Sequence, residues 1–234
     1  MLGWWIYFPM RTLPFLNKKY QIHIDSDADE SVLAEIFSLR EYFVIEEVLK
    51  KAKAAILDLG AHKGFFALYV RALNSEVPIY AYEPEEGNFR ALKEHLLLNK
   101  ISNVFPKNSA LAEVEGMATL HVSEDSHNHS TVVVPGVIND RKVNAITLER
   151  IFNKIQHFDL VKMDIEGAEF AILLTAPDFV FERCPAFFLE YHQYAPHMQA
   201  SFLKKLFEDK GFKVKLYPSK YDKKMGFLWA QKAP

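Results

Sequence analysis

The stretch that decides the fold runs from Ala54 to Gly64 and reads Ala-Ala-Ile-Leu-Asp-Leu-Gly-Ala-His-Lys-Gly. Its apolar first half is too short for a helix and suits a strand that is buried on both faces. Gly60 and Gly64 then break the strand, because glycine turns tightly and lets the backbone approach a ligand. Helical spacing resumes over Phe65 to Leu73. The stretch therefore predicts a strand, a glycine loop and a helix, the arrangement of a nucleotide-type site.

Asp58, at the end of this strand, bears on the class of ligand. A dinucleotide site has the pattern Gly-x-Gly-x-x-Gly, in which the pyrophosphate lies against bare backbone at a helix N-terminus. Only Gly60 and Gly64 are present here, and a carboxylate beside a pyrophosphate would repel it. S-adenosylmethionine has no phosphate and carries a sulfonium and an ammonium. The stretch therefore favours this cationic cofactor over a dinucleotide.

Composition places the chain among ordinary soluble globular proteins. It has 234 residues, 50% of them hydrophobic and 25% charged, with a formal net charge of -2. This length suits one large domain with a sizeable core, and the charge does not mark a nucleic-acid binder. Because Cys184 is the only cysteine, the chain has no internal disulfide and no cysteine-built zinc site. A reducing compartment fits best, and we predict a cytoplasmic protein.

The N-terminus, from Leu2 to Pro9, is the most apolar segment of the chain. It is much shorter than the roughly 20 residues that a membrane-spanning helix needs, and it lacks the basic start of a signal peptide. We therefore predict no targeting or transmembrane segment. Trp4, Trp5 and Phe8 are expected to pack on the domain or on a second copy in a homodimer. A lid over the active site and shallow membrane contact are the alternatives.

Residues 1–50 are predicted to form an N-terminal extension, and residues 51–234 to form the main domain. The extension would contain a short strand over Lys19 to Ile24 and two helices, the first of them capped by Ser31. Apolar residues at helical spacing mark both helices. Helices at this place in the chain would suit a cap over a substrate.

The rest of the chain alternates between strand and helix patterns. This alternation predicts an α/β fold with a seven-stranded, mostly parallel sheet and helices on both faces. Ala118 to Val122 and Val143 to Ile146 would add short strands around a polar loop. The seven main strands are predicted at Ile56–Leu59, Pro78–Tyr82, Val104–Asn108, Leu160–Met163, Phe187–Tyr191, Lys213–Tyr217 and Phe227–Gln231, with helices at Phe65–Leu73, Asn88–Leu98, Leu148–Ile155, Ala168–Leu174 and Met198–Lys210.

Polar residues follow the second and third of these strands. Glu83 lies where an open α/β sheet places an acid for the ribose hydroxyls of a bound nucleoside, and Pro84 would fix the turn after it. Asn108, Ser109 and Ala110 end the third strand, beside the position that an adenine would take. An asparagine there can also serve the turn.

A second dense cluster reads Lys162-Met-Asp164-Ile-Glu166-Gly167-Ala-Glu169. The strand that ends at Asp164 would place its carboxylates at the same sheet edge as Asp58, at the topological switch point where ligands bind. Glu169, near a helix N-terminus, also suits the helix dipole. Asp164 and Glu166 lack such a simple structural explanation.

These motifs together resemble the FkbM family of S-adenosylmethionine-dependent methyltransferases. The resemblance spans roughly residues 54 to 192 and ends with Glu190-x-His192. It implies a class I methyltransferase (Rossmann-like) fold and methylation of a hydroxyl oxygen on a sugar, glycan or polyketide-like small molecule. His62 stands where many relatives have asparagine. Taken together with the strand positions above, the predicted cofactor contacts are Asp58, Gly60, Ala61, His62, Gly64, Phe65, Glu83, Pro84, Asn108, Ser109, Ala110 and Asp164.

Methyl transfer to an alcohol requires a base or a metal, because an alcohol is a poor nucleophile near neutral pH. The candidate bases are Asp164, Glu190 and His192. Glu190 and His192, two apart on a strand, share one face, and free histidine titrates near about 6.5. Alternatively Asp164 and Glu190, with His192, hold Mg²⁺ or Mn²⁺. A third alternative is that Glu190 and His192 only position the substrate.

Three classes of function stay open at this point. The leading hypothesis is an O-methyltransferase for a small molecule or glycan. The others are a methyltransferase for protein, lipid or RNA, and an inactive cofactor-binding module; an NAD-dependent oxidoreductase is a weaker alternative. We expect no nucleic-acid partner, and the lysines of the tail fit a solvated edge. His127 and His129, in the polar loop, are expected to be solvated.

Overall fold

The computed structural model describes residues 10–123, 130–132, 137–220 and 222–233. The apolar segment from Leu2 to Pro9, and His127 and His129, lie outside the described residues. The strands are β1 Met10–Phe15, β2 Lys18–His23, β3 Ile56–Leu59, β4 Ile79–Tyr82, β5 Val104–Lys107, β6 Ala110–Leu111, β7 Gly116–Ser123, β8 Val137–Ile146, β9 Leu160–Met163, β10 Ala186–His192, β11 Phe212–Pro218 and β12 Met225–Lys232. The helices are α1 Asp27–Leu33, α2 Glu46–Lys51, α3 Phe65–Leu73, α4 Glu86–Leu98, α5 Leu148–Lys154, α6 Glu169–Thr175, α7 Asp178–Glu182 and α8 Ala200–Asp209.

A seven-stranded sheet lies at the centre, in the order β11-β12-β10-β9-β3-β4-β5. Strand β12 runs antiparallel to both its neighbours, and the other pairings are parallel. From β3 the chain first proceeds outward through β4 and β5, and later returns to the other side of β3 with β9. The carboxyl ends of β3 and β9 therefore flank the switch point, where open α/β sheets bind ligands. The predicted seven-stranded α/β fold is confirmed.

The N-terminal region differs from its prediction in two ways. Strand β1 pairs with β2 in an antiparallel hairpin that the sequence did not indicate, because β1 is largely exposed and contains Pro14. The first helix begins earlier than predicted: Ser26, in extended backbone, accepts a hydrogen bond from the Asp29 N–H and so takes the capping role expected of Ser31. A π-helical turn over Ala34–Ser38 and a 3-10 turn over Glu41–Ile45 then lead to α2.

A separate three-stranded sheet, β6-β8-β7, is inserted between β5 and β9. Strands β7 and β8 are longer than predicted, because β8 contains the polar run from Asn139 to Lys142, which gives no strand signal. Arg141 of β8 pairs with Glu85, which caps α4, at 2.7 Å. This contact ties the insertion to the edge of the main sheet.

The N-terminal region shares its core with the main sheet. Ile22, Tyr42 and Ile45 belong to the same buried cluster as Phe65 and Phe66 of α3. A second cluster lies on the other face of the sheet, against α5, α6, α7 and α8. The boundary between residues 1–50 and 51–234 stays a prediction. None of the helices in the described ranges is both long and apolar enough to cross a membrane.

Candidate cofactor and acceptor site

A pocket opens at the carboxyl ends of β3, β4 and β9. The space between its walls is about 830 Å³ when the open solvent at its mouth is included. Residues from the N-terminal region and from the insertion complete its walls. The predicted residues that line it are Gly60, Ala61, His62, Phe65, Glu83, Pro84, Ser109, Ala110 and Asp164, and Val32, Ile36, Tyr42, Leu120, Thr131, Lys162 and Glu166 are among the others.

Glu83 is held firmly at the end of β4. One carboxylate oxygen accepts the N–H of His62 at 2.8 Å, and the other accepts the N–H of Glu85 at 2.8 Å. The side chain is 5% exposed, and this burial raises the pKa of Glu83 to about 7 despite the two hydrogen bonds. The carboxylate keeps lone pairs that can accept further hydrogen bonds from a ligand in the pocket.

The two glycines of the loop are required by the protein chain itself. A Cβ on Gly60 would lie 1.7 Å from the Asp164 carbonyl oxygen, and the Gly60 φ of +78° is left-handed. A Cβ on Gly64 would lie 3.2 Å from Leu92 Cγ of α4, again at positive φ. Gly60 thus lets the loop after β3 touch the loop after β9, and Gly64 lets α3 begin close to α4.

Asp58 lies beneath the pocket, and it is not among the lining residues. The carboxylate is fully buried, and the Lys162 ammonium stands 3.4 Å from it. No described residue donates a well-directed hydrogen bond to either Asp58 oxygen. Burial raises the pKa of Asp58, and the charge of Lys162 opposes this shift.

Lys162 connects three parts of the pocket floor. Its ammonium donates to the Gly60 carbonyl oxygen at 2.7 Å and also lies 3.8 Å from the Asp164 carboxylate. Burial lowers the pKa of Lys162, but Asp58 and then Asp164 outweigh it, so the pKa is raised and the ammonium keeps its charge. Sequence reasoning gave this lysine no role of its own.

Asn108 supports the loop after β4. Its amide donates to the carbonyl oxygens of Glu83 and Pro84, at 2.9 and 3.0 Å. Asn108 is not among the lining residues, whereas Ser109 and Ala110 are. Of the three residues predicted beside an adenine, the last two therefore face the pocket, and Asn108 holds the neighbouring turn in place.

Asp164, Glu190 and His192 come together at the end of β9 and β10. One potential ligand atom from each lies within 4.8 Å of the others. The Asp164 Oδ1 atom is buried and has no hydrogen-bond partner within the described ranges. Burial and then the charge of Asp164 raise the pKa of Glu190 well above its usual range. Asp164 lines the pocket, whereas Glu190 and His192 are not among its lining residues.

His192 lies between two carboxylates of the adjacent loop and helix. Its Nε2 is 3.3 Å from a Glu166 oxygen and its Nδ1 is 3.3 Å from a Glu169 oxygen. Burial lowers the pKa of His192, but Glu169 and then Glu166 outweigh it, and the pKa is raised well above its usual value. Burial raises the pKa of Glu166 to about 8 in spite of His192.

The N-terminal region is tied to the loop after β3 by a buried ion pair. The Lys63 ammonium donates to Asp29 at 2.7 Å and to Asp25 at 2.9 Å. His95 joins the same network, since its Nδ1 is 2.8 Å from the Lys63 carbonyl oxygen. Sequence reasoning missed this connection, because the residues that form it lie far apart along the chain.

A sequence profile of the methyltransferase FkbM domain matches residues 58–214, two thirds of the chain. The chain belongs to the FkbM methyltransferase family. This family and the class I fold are those of S-adenosylmethionine-dependent methyltransferases. Among curated proteins, this FkbM-family chain is similar to Methyltransferase 1 of Beauveria bassiana (strain ARSEF 2860), with 22% identity over 145 residues. The alignment covers 53% of this chain and 58% of that protein's length.

Solved structures share the fold at low sequence identity. The methyltransferase FkbM from Methylobacillus flagellatus KT matches 88% of this chain and 56% of its own chain, with a TM-score of 0.53 and 15% identity. A putative methyltransferase from Streptococcus mutans in complex with SAH matches 81% of this chain and 96% of its own chain, with a TM-score of 0.52 and 13% identity. The N-terminal domain of EvdMO1, in the presence of SAH and D-fucose, matches 95% of this chain and 90% of its own chain. The TM-score is 0.51 and the sequence identity is 14%.

Proposed function

We propose that this FkbM-family chain binds S-adenosylmethionine and transfers its methyl group to a hydroxyl oxygen of a sugar, glycan or polyketide-like small molecule. The observation that carries the proposal is the buried Glu83 carboxylate at the edge of the pocket, held by two backbone N–H groups. A carboxylate at this place in an open α/β sheet accepts hydrogen bonds from ribose hydroxyls. The family and fold are consistent with this role.

The charges of the pocket suit a cationic nucleoside. Lys162 is the only lysine or arginine among the described lining residues, whereas Glu83, Asp164 and Glu166 supply three carboxyl groups. With its carboxyl groups ionised, such a lining would repel a pyrophosphate and would attract a sulfonium and an ammonium. It therefore argues against the NAD-dependent alternative. The buried Asp164 Oδ1 without a described partner is an acceptor that a cationic ligand would satisfy.

Each part of the pocket has a distinct proposed task. S-adenosylmethionine, when bound, supplies an electrophilic methyl group on its sulfonium. Glu83 would accept the ribose hydroxyls, and Ser109 and Ala110 would flank the base. The backbone of Gly60, Ala61 and His62 forms the nearby wall together with Phe65. Asp58 acts from below the floor through Lys162, which fixes the Gly60 carbonyl.

The acceptor would enter between the N-terminal region and the insertion, whose residues Val32, Tyr42 and Thr131 line the pocket. Its hydroxyl must lose a proton as the methyl group transfers, and a carboxylate at the pocket edge can accept that proton. Asp164 lines the pocket, and Glu190 stands beside it. A sugar acceptor is compatible with the EvdMO1 domain, whose structure was determined in the presence of D-fucose.

A divalent cation is the alternative means of activating the hydroxyl. Asp164, Glu190 and His192 come close enough to share one ion, and the carboxylates are ligands that suit Mg²⁺ or Mn²⁺. His192 suits this set poorly, because both of its nitrogens already face carboxylates. Turnover that persists after treatment with a chelator would leave the base-assisted route alone.

The first experiment is calorimetric titration of the protein with S-adenosylmethionine and with S-adenosylhomocysteine. The Glu83→Gln variant should lose about tenfold or more in affinity, since a hydrogen bond to a charged group contributes about 1.5 to 3 kcal/mol. Glu86→Gln is the matched control, because Glu86 is exposed three positions along the chain. If Glu83→Gln and Glu86→Gln bind S-adenosylmethionine with equal affinity, Glu83 does not bind the ribose.

The acceptor is tested by release of S-adenosylhomocysteine in the presence of candidate sugars, with D-fucose as the first probe. Turnover with a sugar hydroxyl supports the proposal. Turnover only with a protein, lipid or RNA acceptor would replace it, and cofactor binding without any turnover would favour an inactive binding module. Cytoplasmic localisation and a homodimer through the N-terminal segment stay predictions.

A further inference from the structure

His192 is almost completely enclosed, although the sequence suggests it as a base. Its relative exposure is 2%, and it is not among the pocket-lining residues. Both ring nitrogens face carboxylates on the neighbouring loop and helix. A general base must come within hydrogen-bond reach of the proton that it takes. For His192 to do so, the ring would have to turn away from at least one of these carboxylates.

We infer that His192 is a positioning residue: it bridges Glu166 to Glu169 and so fixes the loop that presents Asp164 to the pocket. As a statement about catalysis, this inference rests on the proposed methyltransferase function. The bridge itself is a property of the fold.

Glu169 is the fixed end of this bridge. Its side chain is fully buried at the start of α6. Its carboxylate accepts the N–H of Ile165 at 3.1 Å and the N–H of Gly167 at 2.9 Å. These two N–H groups belong to the loop that directly follows Asp164. Glu169 therefore sets the path of the loop backbone, and His192 Nδ1 holds Glu169 from the other side.

Glu166 is the strained end of the bridge. Its φ of 56° is left-handed, a conformation that costs a non-glycine residue about 1 to 2 kcal/mol. Interactions of its side chain offset this cost. One Glu166 oxygen faces His192 Nε2 at 3.3 Å and accepts the Tyr194 hydroxyl at 3.2 Å. The Tyr194 ring also stacks on His192, with the ring centroids 5.5 Å apart.

The bridge connects the Glu190-x-His192 motif of β10 to the run from Glu166 to Glu169. His192 lies at the end of β10, where its ring meets the loop from β9, and Glu166 and Glu169 are three apart around the turn into α6. The assignment leaves Asp164 as the group of this cluster that can meet an acceptor hydroxyl in the pocket, with Glu190 next to it. Asp164 lines the pocket, and Glu190 is half-buried on the same face of β10 as His192.

The test is amide hydrogen exchange at Ile165 and Gly167, whose N–H groups report the loop directly. In His192→Ala both amides should exchange about tenfold faster, because the loss of a charge-assisted contact lowers the cost of local opening. His192→Gln, whose amide can still meet one carboxylate, should show a smaller change. His157→Gln is the matched control, since His157 is exposed and precedes β9, at the opposite end of that strand from Asp164.

A second variant keeps the test decisive if His192→Ala does not fold. Glu166→Gln weakens the other half of the bridge without changing the acceptor of these two N–H groups, and it should accelerate exchange at the same two amides. Wild-type exchange rates in the folded variants, together with lost methyl transfer, would overturn the positioning role and restore His192 as a base. Failure of the wild-type protein to bind S-adenosylhomocysteine would count against the proposed function instead, and faster exchange in the variants would still support the bridge.

Discussion

Lys162 is shared by two carboxylates at the floor of the pocket. It stands 3.4 Å from Asp58 and 3.8 Å from Asp164, and its own side chain is 5% exposed. Charges that are buried together depend on each other, because each alone would carry a large desolvation cost. The stability of the pocket floor should therefore depend on this lysine.

Lys162→Met should lower the free energy of unfolding by about 3 to 5 kcal/mol, because it leaves Asp58 buried without a counter-charge. Urea unfolding at pH 7 measures the loss. The loss should shrink at lower pH, where the Asp58 carboxyl takes up a proton and no longer needs a cation. Lys154→Met, at an exposed position of α5, is the control and should change stability by less than about 0.5 kcal/mol.

The double variant Asp58→Asn with Lys162→Met removes both charges and should recover most of the lost stability. A Lys162→Met protein that is as stable as Lys154→Met would contradict the shared-cation interpretation. So would a double variant that is no more stable than Lys162→Met alone.

The residues of the site could be predicted from sequence to the extent that they follow strands. Glu83 and Asp164 come directly after buried strands whose carboxyl ends meet at one sheet edge, and both line the pocket. Lys162 was missed because its role depends on register: it is the β9 partner of Asp58 in β3. Aligning the two strand sequences side by side would have placed the charges on one face.

Among the elements, the loops after β3 and β9 approach each other closely at the pocket. This approach depends on Gly60, since a Cβ there would stand 1.7 Å from the Asp164 carbonyl oxygen. Gly211, after α8, has a similar φ of +83°, but a Cβ there would meet nothing within 4 Å. The two glycines therefore differ in steric contact and not in backbone conformation.

Gly211→Ala should cost only the backbone strain of a left-handed residue, about 1 to 2 kcal/mol. Gly60→Ala should cost about 1 to 3 kcal/mol more, because the loops must also separate, and it should weaken binding of S-adenosylhomocysteine. Thermal or urea unfolding of both variants and calorimetry of Gly60→Ala provide the comparison. Equal losses of stability would show that the loop contact adds nothing to the requirement for glycine.

Elements with a buried apolar pattern could be predicted with correct bounds, as β3, α3 and β9 show. The bounds of elements whose residues are largely exposed could not be predicted in this way. Strand β1 and the polar run of β8 are held by backbone pairing with a neighbouring strand, and this pairing leaves little trace in side-chain hydrophobicity. The N-terminal wall of the pocket was predicted only as a cap, because its contacts with the loop after β3 join residues far apart in sequence.

For the whole molecule, the important feature is that several carboxyl groups around the pocket hold protons more tightly than usual. Burial, with repulsion from neighbouring acids, raises the pKa of Glu41 to about 7 and that of Glu166 to about 8. The pKa of Glu83 is likewise about 7 because of burial. A protein with these groups binds more protons when folded than when unfolded between about pH 5 and 8.

The sign of the resulting pH dependence follows from the direction of these shifts. A carboxyl group with a raised pKa stabilises the folded state below its unfolded pKa of about 4.5, and that contribution is lost as the pH rises through 7 to 8. The raised pKa of His192 acts in the same direction over the upper part of the range. Asp29 and Glu46, whose pKa values are lowered despite burial, matter only at more acidic pH.

The free energy of unfolding should therefore fall between pH 5.5 and 8, by about 1.4 kcal/mol per pH unit for each additional proton bound by the folded state. Glu41→Gln should flatten the fall below about pH 7, where folded wild-type protein keeps the Glu41 proton and the unfolded chain does not. Glu47→Gln, on the same segment, should leave the slope unchanged, since the pKa of Glu47 is lowered by Lys50 and Lys51. Urea unfolding across the range measures all three proteins, and a wild-type stability that rises with pH would contradict the proton uptake inferred for the pocket.

Because the same carboxyl groups lose their protons as a cation approaches, S-adenosylmethionine should stabilise the protein more at pH 8 than at pH 6.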